Sequence, residues 1–116
     1  MPQYLLLIYD DESAVAGIGQ EQFDQLLKEH RSFGERNASV LRGGHALEPT
    51  TTATSIRKDS TGNVTVTDGP FAETKEALGG FYIVEAADLD EAIAVAKQVP
   101  APYGGVEVRP VRVFDQ

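Results

Sequence analysis

Two histidines are the residues of this chain best suited to proton transfer near neutral pH. His30 lies at helical spacing from four apolar residues, so it shares their face of a predicted helix and faces a sheet or a cleft. In that position an imidazole can act as a general acid or base. The same position suits a histidine at the edge of the core that is hydrogen-bonded to a backbone carbonyl, and both interpretations stay open. The apolar residues of this stripe are Phe23, Leu26, Leu27 and Phe33.

His45 follows two glycines, Gly43 and Gly44, inside a predicted strand. Glycines in a strand allow a ligand or a neighbouring helix to approach the backbone closely. His30, His45 and a carboxylate would have the composition of a metal site. Two histidines at unrelated spacings do not predict one, and we assign neither a metal nor a cofactor.

Three further side chains are candidates for a cleft. Tyr9 and Tyr82 lie on strands expected at the centre of the sheet, where a buried hydroxyl needs a partner; interface packing explains them equally well. Arg109 shares a strand face with Glu107 at i, i+2. The two can form an ion pair, or the arginine can bind the carboxylate of a ligand.

A turn followed by a long polar run occupies residues 68–76. Asp68 can bond its own downstream backbone, the glycine after it permits a positive φ, and the proline presets the next φ. Phe71 then serves as a packing anchor. The functional alternative makes this turn a cleft wall, with polar groups over it, although Lys75 and Glu76 also suit a solvated charge pair. The cleft candidates of this segment are Asp68, Phe71, Glu73 and Lys75.

Apolar periodicity places these residues on strands and helices. A helix is predicted from about Gln20 to Arg36, with Asn37 as a left-handed C-terminal residue, and residues 13–19 read as a loop. A second helix begins after Asp88, a predicted N-cap, and Pro110 predicts a bulge or an edge position. The predicted strands are Tyr4–Tyr9, Val40–Leu47, Ser55–Lys58, Val64–Thr67, Gly80–Ala86 and Val106–Val113.

This order predicts an α+β, ferredoxin-like β-α-β-β-α-β fold with an extra hairpin, in a single domain over residues 1–116. The runs Tyr4–Tyr9 and Phe81–Val84 are apolar at odd and even positions alike. Side chains alternate between faces along a strand, and two helices can cover only one face of a sheet. A second copy packed sheet to sheet would cover the other face, so we expect a homodimer.

Composition narrows the possible partners. The net charge of −8 disfavours nucleic acid and anionic membranes. The chain has no cysteine, which removes disulfides and thiolate chemistry. The apolar run Tyr4–Tyr9 is too short for a signal peptide or a membrane span. We therefore expect a cytoplasmic protein.

The segment from Asp68 through Gly79-Gly80 to Tyr82 resembles the signature of DGPF-domain proteins, which belong to the YCII-related superfamily. The resemblance implies a dimeric α+β barrel with a cleft between the sheet and the first helix or at the subunit junction. It also suggests a functional link to extracytoplasmic-function sigma factors.

YCII-type proteins carry a His–Asp pair, whose Asp precedes a Pro-Tyr near the end of the second helix. Here Val99 precedes Pro100, and Ala101-Pro102-Tyr103 follows, so that Asp is absent. We therefore do not transfer the pair. The sequence favours a small-molecule-binding or accessory, regulatory protein. The alternative is an enzyme that uses His30 as general acid/base on a small anionic or aromatic compound, held by Arg109 or Lys75.

Overall fold

Four antiparallel strands form the main sheet of the computed structural model, which describes residues 1–115. They are β1 (Gln3–Asp11), β2 (Leu41–Ala46), β5 (Glu76–Glu85) and β6 (Gly104–Pro110), in the order β2-β5-β1-β6. Strands β3 (Thr54–Lys58) and β4 (Val64–Asp68) pair separately as a hairpin. The helices are α1 (Glu12–Ala16), α2 (Gln20–Arg36) and α3 (Leu89–Ala96), and Thr50–Thr52 form a single 3₁₀ turn. The predicted α+β, ferredoxin-like fold is confirmed.

Helix α1 differs from the prediction, because the sequence of residues 13–19 indicated a loop. Asp11 ends β1 and caps the new helix: its Oδ1 accepts hydrogen bonds from the backbone N–H groups of Ser13 and Ala14. A carboxylate in this position satisfies amides that have no partner within the helix. The charged residues that end β1 therefore also start α1.

The end of α2 also differs from the prediction. Asn37 has φ −112° rather than a left-handed conformation. Its side chain is buried, and Nδ2 donates to the carbonyl of Phe33 and to Oε1 of Gln98, both at 3.0 Å. Asn37 thus ends α2 by linking it to the segment after α3 rather than by reversing the backbone.

One face of the sheet carries the core. Leu6 and Val84 are fully buried on the central strands, beneath Phe33 of α2 and Ala92 of α3. The predicted cap of α3 is confirmed, because Oδ1 of Asp88 accepts from the N–H of residue 91 at 2.9 Å. Both long helices therefore pack against the same face.

The opposite face of the sheet is apolar, and no helix within residues 1–115 covers it. Alternation places Leu5, Leu7 and Tyr9 of β1 beside Phe81 and Ile83 of β5 on this side. All five are half-buried. We call this surface the open face. It accounts for the continuous apolar runs, and the homodimer stays a prediction.

The β3–β4 hairpin projects from the main sheet. The radius of gyration is 16.4 Å, against about 13 Å for a compact chain of this length. Ile56, Val64 and Val66 on one side of the hairpin are each more than half exposed. Pro110 closes β6 at the edge of the main sheet, which agrees with its predicted edge position. Within residues 1–115, no helix is long and apolar enough to cross a bilayer.

Candidate functional site

A cleft of about 810 Å³ lies between α2 and the main sheet. Its floor comes from the central strands and β2, its roof from α2, and its end walls from α1 and from the prolines after α3. The apolar residues that line it include Ile8, Val15, Phe23, Leu26, Leu27 and Pro100. Phe23 and Leu27 are 43% and 45% exposed. The cleft therefore presents apolar surface that the chain itself leaves uncovered.

His30 and Tyr82 meet inside this cleft. The Nδ1 atom of His30 lies 2.7 Å from the hydroxyl oxygen of Tyr82, and the two rings stack with centroids 5.9 Å apart. The Tyr82 ring also packs against Phe33, with a centroid distance of 4.8 Å. The Tyr82 ring thus packs against the core on one side, and its hydroxyl is hydrogen-bonded to the imidazole of His30.

Gly44 of β2 makes room for the Tyr82 ring. It pairs directly with Tyr82 across the sheet. A Cβ atom on Gly44 would lie 2.5 Å from the carbonyl oxygen of Phe81 and 2.8 Å from Cδ1 of Tyr82. Neither distance is possible without displacing the strand or the ring. The glycine predicted to permit close approach therefore admits an aromatic ring of the protein itself.

Asp10 brings a carboxylate to the same cleft. The register of β1 and β5 shifts after Ile8, which leaves Gly79 as an unpaired bulge residue. A Cβ atom on Gly79 would lie 2.5 Å from Oδ2 of Asp10. The bulge and the missing side chain together create the space that the Asp10 carboxylate occupies.

Burial shifts the pKa values of three side chains in this site. Burial lowers the pKa of His30 below its usual 6.5, and the nearby charges of Asp10 and Glu29 oppose that shift. Burial raises the pKa of Asp10, and the carboxylates of Glu12 and Glu76 raise it further, while His30 opposes both. Burial also raises the pKa of Tyr82. At neutral pH the site therefore holds a neutral imidazole bonded to a neutral phenol.

A neutral imidazole near a carboxylate can accept a proton from a bound molecule, because the carboxylate stabilises the imidazolium that forms. Within residues 1–115, no three His, Asp or Glu side chains gather closely enough to hold a metal ion.

Comparison with known proteins supplies the family. The model of the YCII-related domain matches residues 2–115. The chain belongs to the YCII-related family. An uncharacterised protein of Rhizobium meliloti (strain 1021) is 35% identical over an alignment 116 positions long, which spans 96% of this chain and 93% of the relative. The resemblance to YCII-related proteins predicted from the sequence is confirmed.

In this YCII-related protein the carboxylate near His30 comes from β1. The Asp that the family resemblance led us to expect before Pro100 is absent. Asp10, the second-last residue of β1, lines the cleft instead. Asp10 was not among the residues selected from the sequence, because it directly follows the predicted strand Tyr4–Tyr9. The signal was available, since Asp10 has the same parity as the core residues Leu6 and Ile8.

His45 is not paired with His30, and it borders the cleft only from the edge strand β2. Its ring packs edge-on against Phe81, with centroids 5.9 Å apart. His45 and Phe81 are cross-strand partners one residue away from Gly44 and Tyr82, so strand alternation directs them to the open face. The two histidines therefore lie on opposite sides of the sheet.

Other candidate residues lie away from the cleft. Tyr9 belongs to the open face. Arg109 forms an exposed ion pair with Glu107 at 3.3 Å, on the edge strand β6. Neither lines the cleft.

The turn at residues 68–71 closes the base of the β3–β4 hairpin. Gly69 has φ +113°, as predicted. Its N–H donates to Ala53, and its carbonyl accepts from the hydroxyl of Ser55 at 2.6 Å. Phe71 is 62% exposed and stacks under the guanidinium of Arg57, 4.6 Å from the ring centroid. The four candidates of this segment, Asp68, Phe71, Glu73 and Lys75, do not line the cleft.

Proposed function

We propose that this chain binds a small, largely apolar molecule in the cleft and acts as an accessory or regulatory protein. One observation carries the proposal: Asp10, His30 and Tyr82 converge on a cleft that is otherwise mostly apolar. Its volume of about 810 Å³ falls within the range of small-molecule sites. A few polar groups in an apolar cleft are the usual means by which such sites orient a ligand.

We further propose that the working form is a homodimer. The open face exposes apolar side chains of both central strands. Burying a large apolar side chain completely stabilises a protein by roughly 1.5–3 kcal/mol relative to leaving it in water. The projecting hairpin adds a second exposed apolar strip, at Ile56, Val64 and Val66. A second copy packed face to face covers the open face, and a hairpin that extends beyond its own subunit can reach the partner.

The biological setting of the proposal comes from resemblance. The Asp68–Phe71 turn is typical of the DGPF type within the YCII-related family, and that type suggests a link to extracytoplasmic-function sigma factors. A cytoplasmic location, no nucleic-acid binding and no membrane association remain part of this proposal. They rest on the charge of −8 and on the sequence patterns.

General acid–base catalysis at His30 is the second candidate function. The observation that favours it is the position of His30, which lies in a cleft near the carboxylate of Asp10 rather than in a dry core. Neither Arg109 nor Lys75 lines the cleft, so the anionic substrate expected from the sequence lacks its cationic partner. An aromatic substrate remains compatible with the apolar lining.

Native mass spectrometry of gently purified protein tests the proposal. The expected result is a dimer that carries a discrete small-molecule adduct. Leu27→Glu places a charge in the cleft at a position already 45% exposed, so it should remove the adduct and leave the dimer. Leu89→Glu, on α3 and 47% exposed, is the matched control and should keep the adduct.

Each contrary result contradicts a particular part of the proposal. An adduct that survives Leu27→Glu contradicts the cleft as the binding site. A monomer mass contradicts the homodimer. To separate binding from catalysis, the adduct is identified and incubated with wild type and with His30→Gln. Chemical conversion that depends on His30 supports the enzyme, and an unchanged compound supports the binding protein.

A further inference from the structure

The charged groups that line the cleft are of one sign. Asp10 and Glu12 both line it, whereas none of the lysines and arginines within residues 1–115 does. Glu76 adds a third carboxylate close enough to act on Asp10. Since like charges repel strongly where water is partly excluded, an anionic ligand would meet an unfavourable field at this end of the cleft.

The two lining carboxylates differ in what they already bind. Glu12 accepts hydrogen bonds from the backbone N–H of Thr50, at 2.9 Å, and from the Thr50 hydroxyl, so it serves to fasten α1 to the 3₁₀ turn. The Asp10 carboxylate makes no hydrogen bond and no ion pair with residues 1–115; only burial and neighbouring charges act on it. Asp10 is therefore the carboxylate left free to meet a ligand.

The remaining lining defines the rest of the ligand. Phe23, Leu26 and Leu27 present apolar surface from the roof of the cleft. An ammonium group beside Asp10 would form a charge-assisted hydrogen bond, which is roughly twice as strong as a neutral one. An apolar body would cover the exposed side chains of α2.

We propose that the cleft binds an apolar molecule that carries one protonated amine, with the ammonium group at Asp10 and the apolar body against Phe23, Leu26 and Leu27. This inference rests on the proposed function, because it requires that the cleft bind a small molecule. It adds the charge of the ligand and the residue that recognises it.

Three probes with one phenylethyl body separate charge from shape: 2-phenylethylamine, 2-phenylethanol and 3-phenylpropanoate, each titrated at pH 7 into ¹⁵N-labelled protein. Binding is read from amide shifts along the cleft and from the ring signals of His30. The amine should bind about tenfold more tightly than the alcohol, and the propanoate most weakly.

Asp10→Asn should reduce the affinity for the amine to that for the alcohol and leave the alcohol unchanged. Glu35→Gln, an exposed position on α2 outside the cleft, removes the same charge from the whole protein and should preserve the preference for the amine. Retained binding of the alcohol shows that the Asp10 variant is folded. If that variant does not fold, the comparison of the three probes on wild type decides.

Equal binding of the amine and the alcohol, or tightest binding of the propanoate, overturns the inference and leaves the proposed function in place. Binding of none of the three overturns the proposed function, and the inference falls with it. A preference for the amine that persists in Asp10→Asn overturns the role of Asp10.

Discussion

The imidazole of His30 and the phenol of Tyr82 form one hydrogen-bonded unit, with 2.7 Å between Nδ1 and the hydroxyl oxygen. The two residues belong to different elements, since His30 lies on the roof helix and Tyr82 on a central strand. The bond therefore joins α2 to the floor of the cleft. It also occupies one of the two ring nitrogens, which leaves Nε2 as the atom available to a ligand.

Replacing Tyr82 by phenylalanine removes this bond but keeps the ring against Phe33. We expect the free energy of unfolding to fall by about 0.5–1.5 kcal/mol, the usual worth of a neutral hydrogen bond. Urea unfolding measures the loss, and ¹⁵N spectra of His30 should show a changed tautomer balance. Tyr103→Phe is the control, because the Tyr103 hydroxyl makes no hydrogen bond with any residue among 1–115. An equal loss in both variants contradicts the prediction.

The pKa of His30 should lie below 6.5, because burial disfavours the charged imidazolium. Asp10→Asn should lower this pKa further, since the aspartate charge opposes the effect of burial. NMR titration of the His30 ring signals measures both values. Glu107→Gln, which removes a carboxylate from the distant edge strand β6, should leave the titration of His30 unchanged. A His30 pKa that rises in Asp10→Asn is incompatible with this electrostatic account.

The same shift makes stability depend on pH. Because the folded pKa of His30 lies below the unfolded value of 6.5, the unfolded chain binds protons at this residue more readily. The contribution of His30 to the free energy of unfolding is therefore complete above pH 6.5, and it is lost as the pH falls through 6.5 towards the folded pKa. The free energy of unfolding should fall less between pH 7.5 and pH 5.5 in His30→Gln than in wild type. Equal losses in the two proteins would rule this out.

Gly44→Ala should destabilise the fold and displace Tyr82, because the new methyl group would lie 2.5 Å from the carbonyl oxygen of Phe81. Overpacking of this kind costs about 1–3 kcal/mol. Gly105→Ala is the matched control on another strand, where a Cβ atom meets nothing within 4 Å; it should change stability by less than about 0.5 kcal/mol. Thermal unfolding and the His30 ring shifts report the two effects, and similar behaviour of both variants would refute the prediction.

Ile83→Glu should convert the expected dimer into a monomer, because it places a charge in the middle of the open face. Light scattering after size exclusion gives the mass. Gln25→Glu adds the same charge to the exposed side of α2 and should leave the dimer intact. A dimer that persists in Ile83→Glu would mean that the copies associate through another surface.

The sequence predicts the order of the elements because each strong signal is local. Apolar alternation marks the strands, and the Asp88 cap marks α3. The contents of the cleft depend instead on long-range geometry. Nothing near Asp10 in the sequence shows that Gly79 will bulge opposite it, and the contact of His30 with Tyr82 depends on how α2 docks. Helix α1 was missed because a five-residue helix has almost no periodicity, and its one clear signal was the Asp11 cap.

The turn at residues 68–71 illustrates the opposite case. Its conformation was predictable, since the positive φ of Gly69 follows from the residue type. Its position was not, because the run of polar residues behind it suggested a cleft wall. A turn motif specifies local backbone angles and contains no information about which surface the turn will border.

The two edges of the main sheet restrict how copies can join. On one edge, β6 ends in Pro110, which has no N–H to offer a further strand. On the other, β2 carries an extra residue at Arg42, and the backbone of Gly43 has φ +149°, so the ladder is interrupted. Both features discourage the addition of a strand in register. A protein with these edges can expose an apolar sheet and still resist growth into fibrils, because the proposed face-to-face assembly would stop once two copies have met.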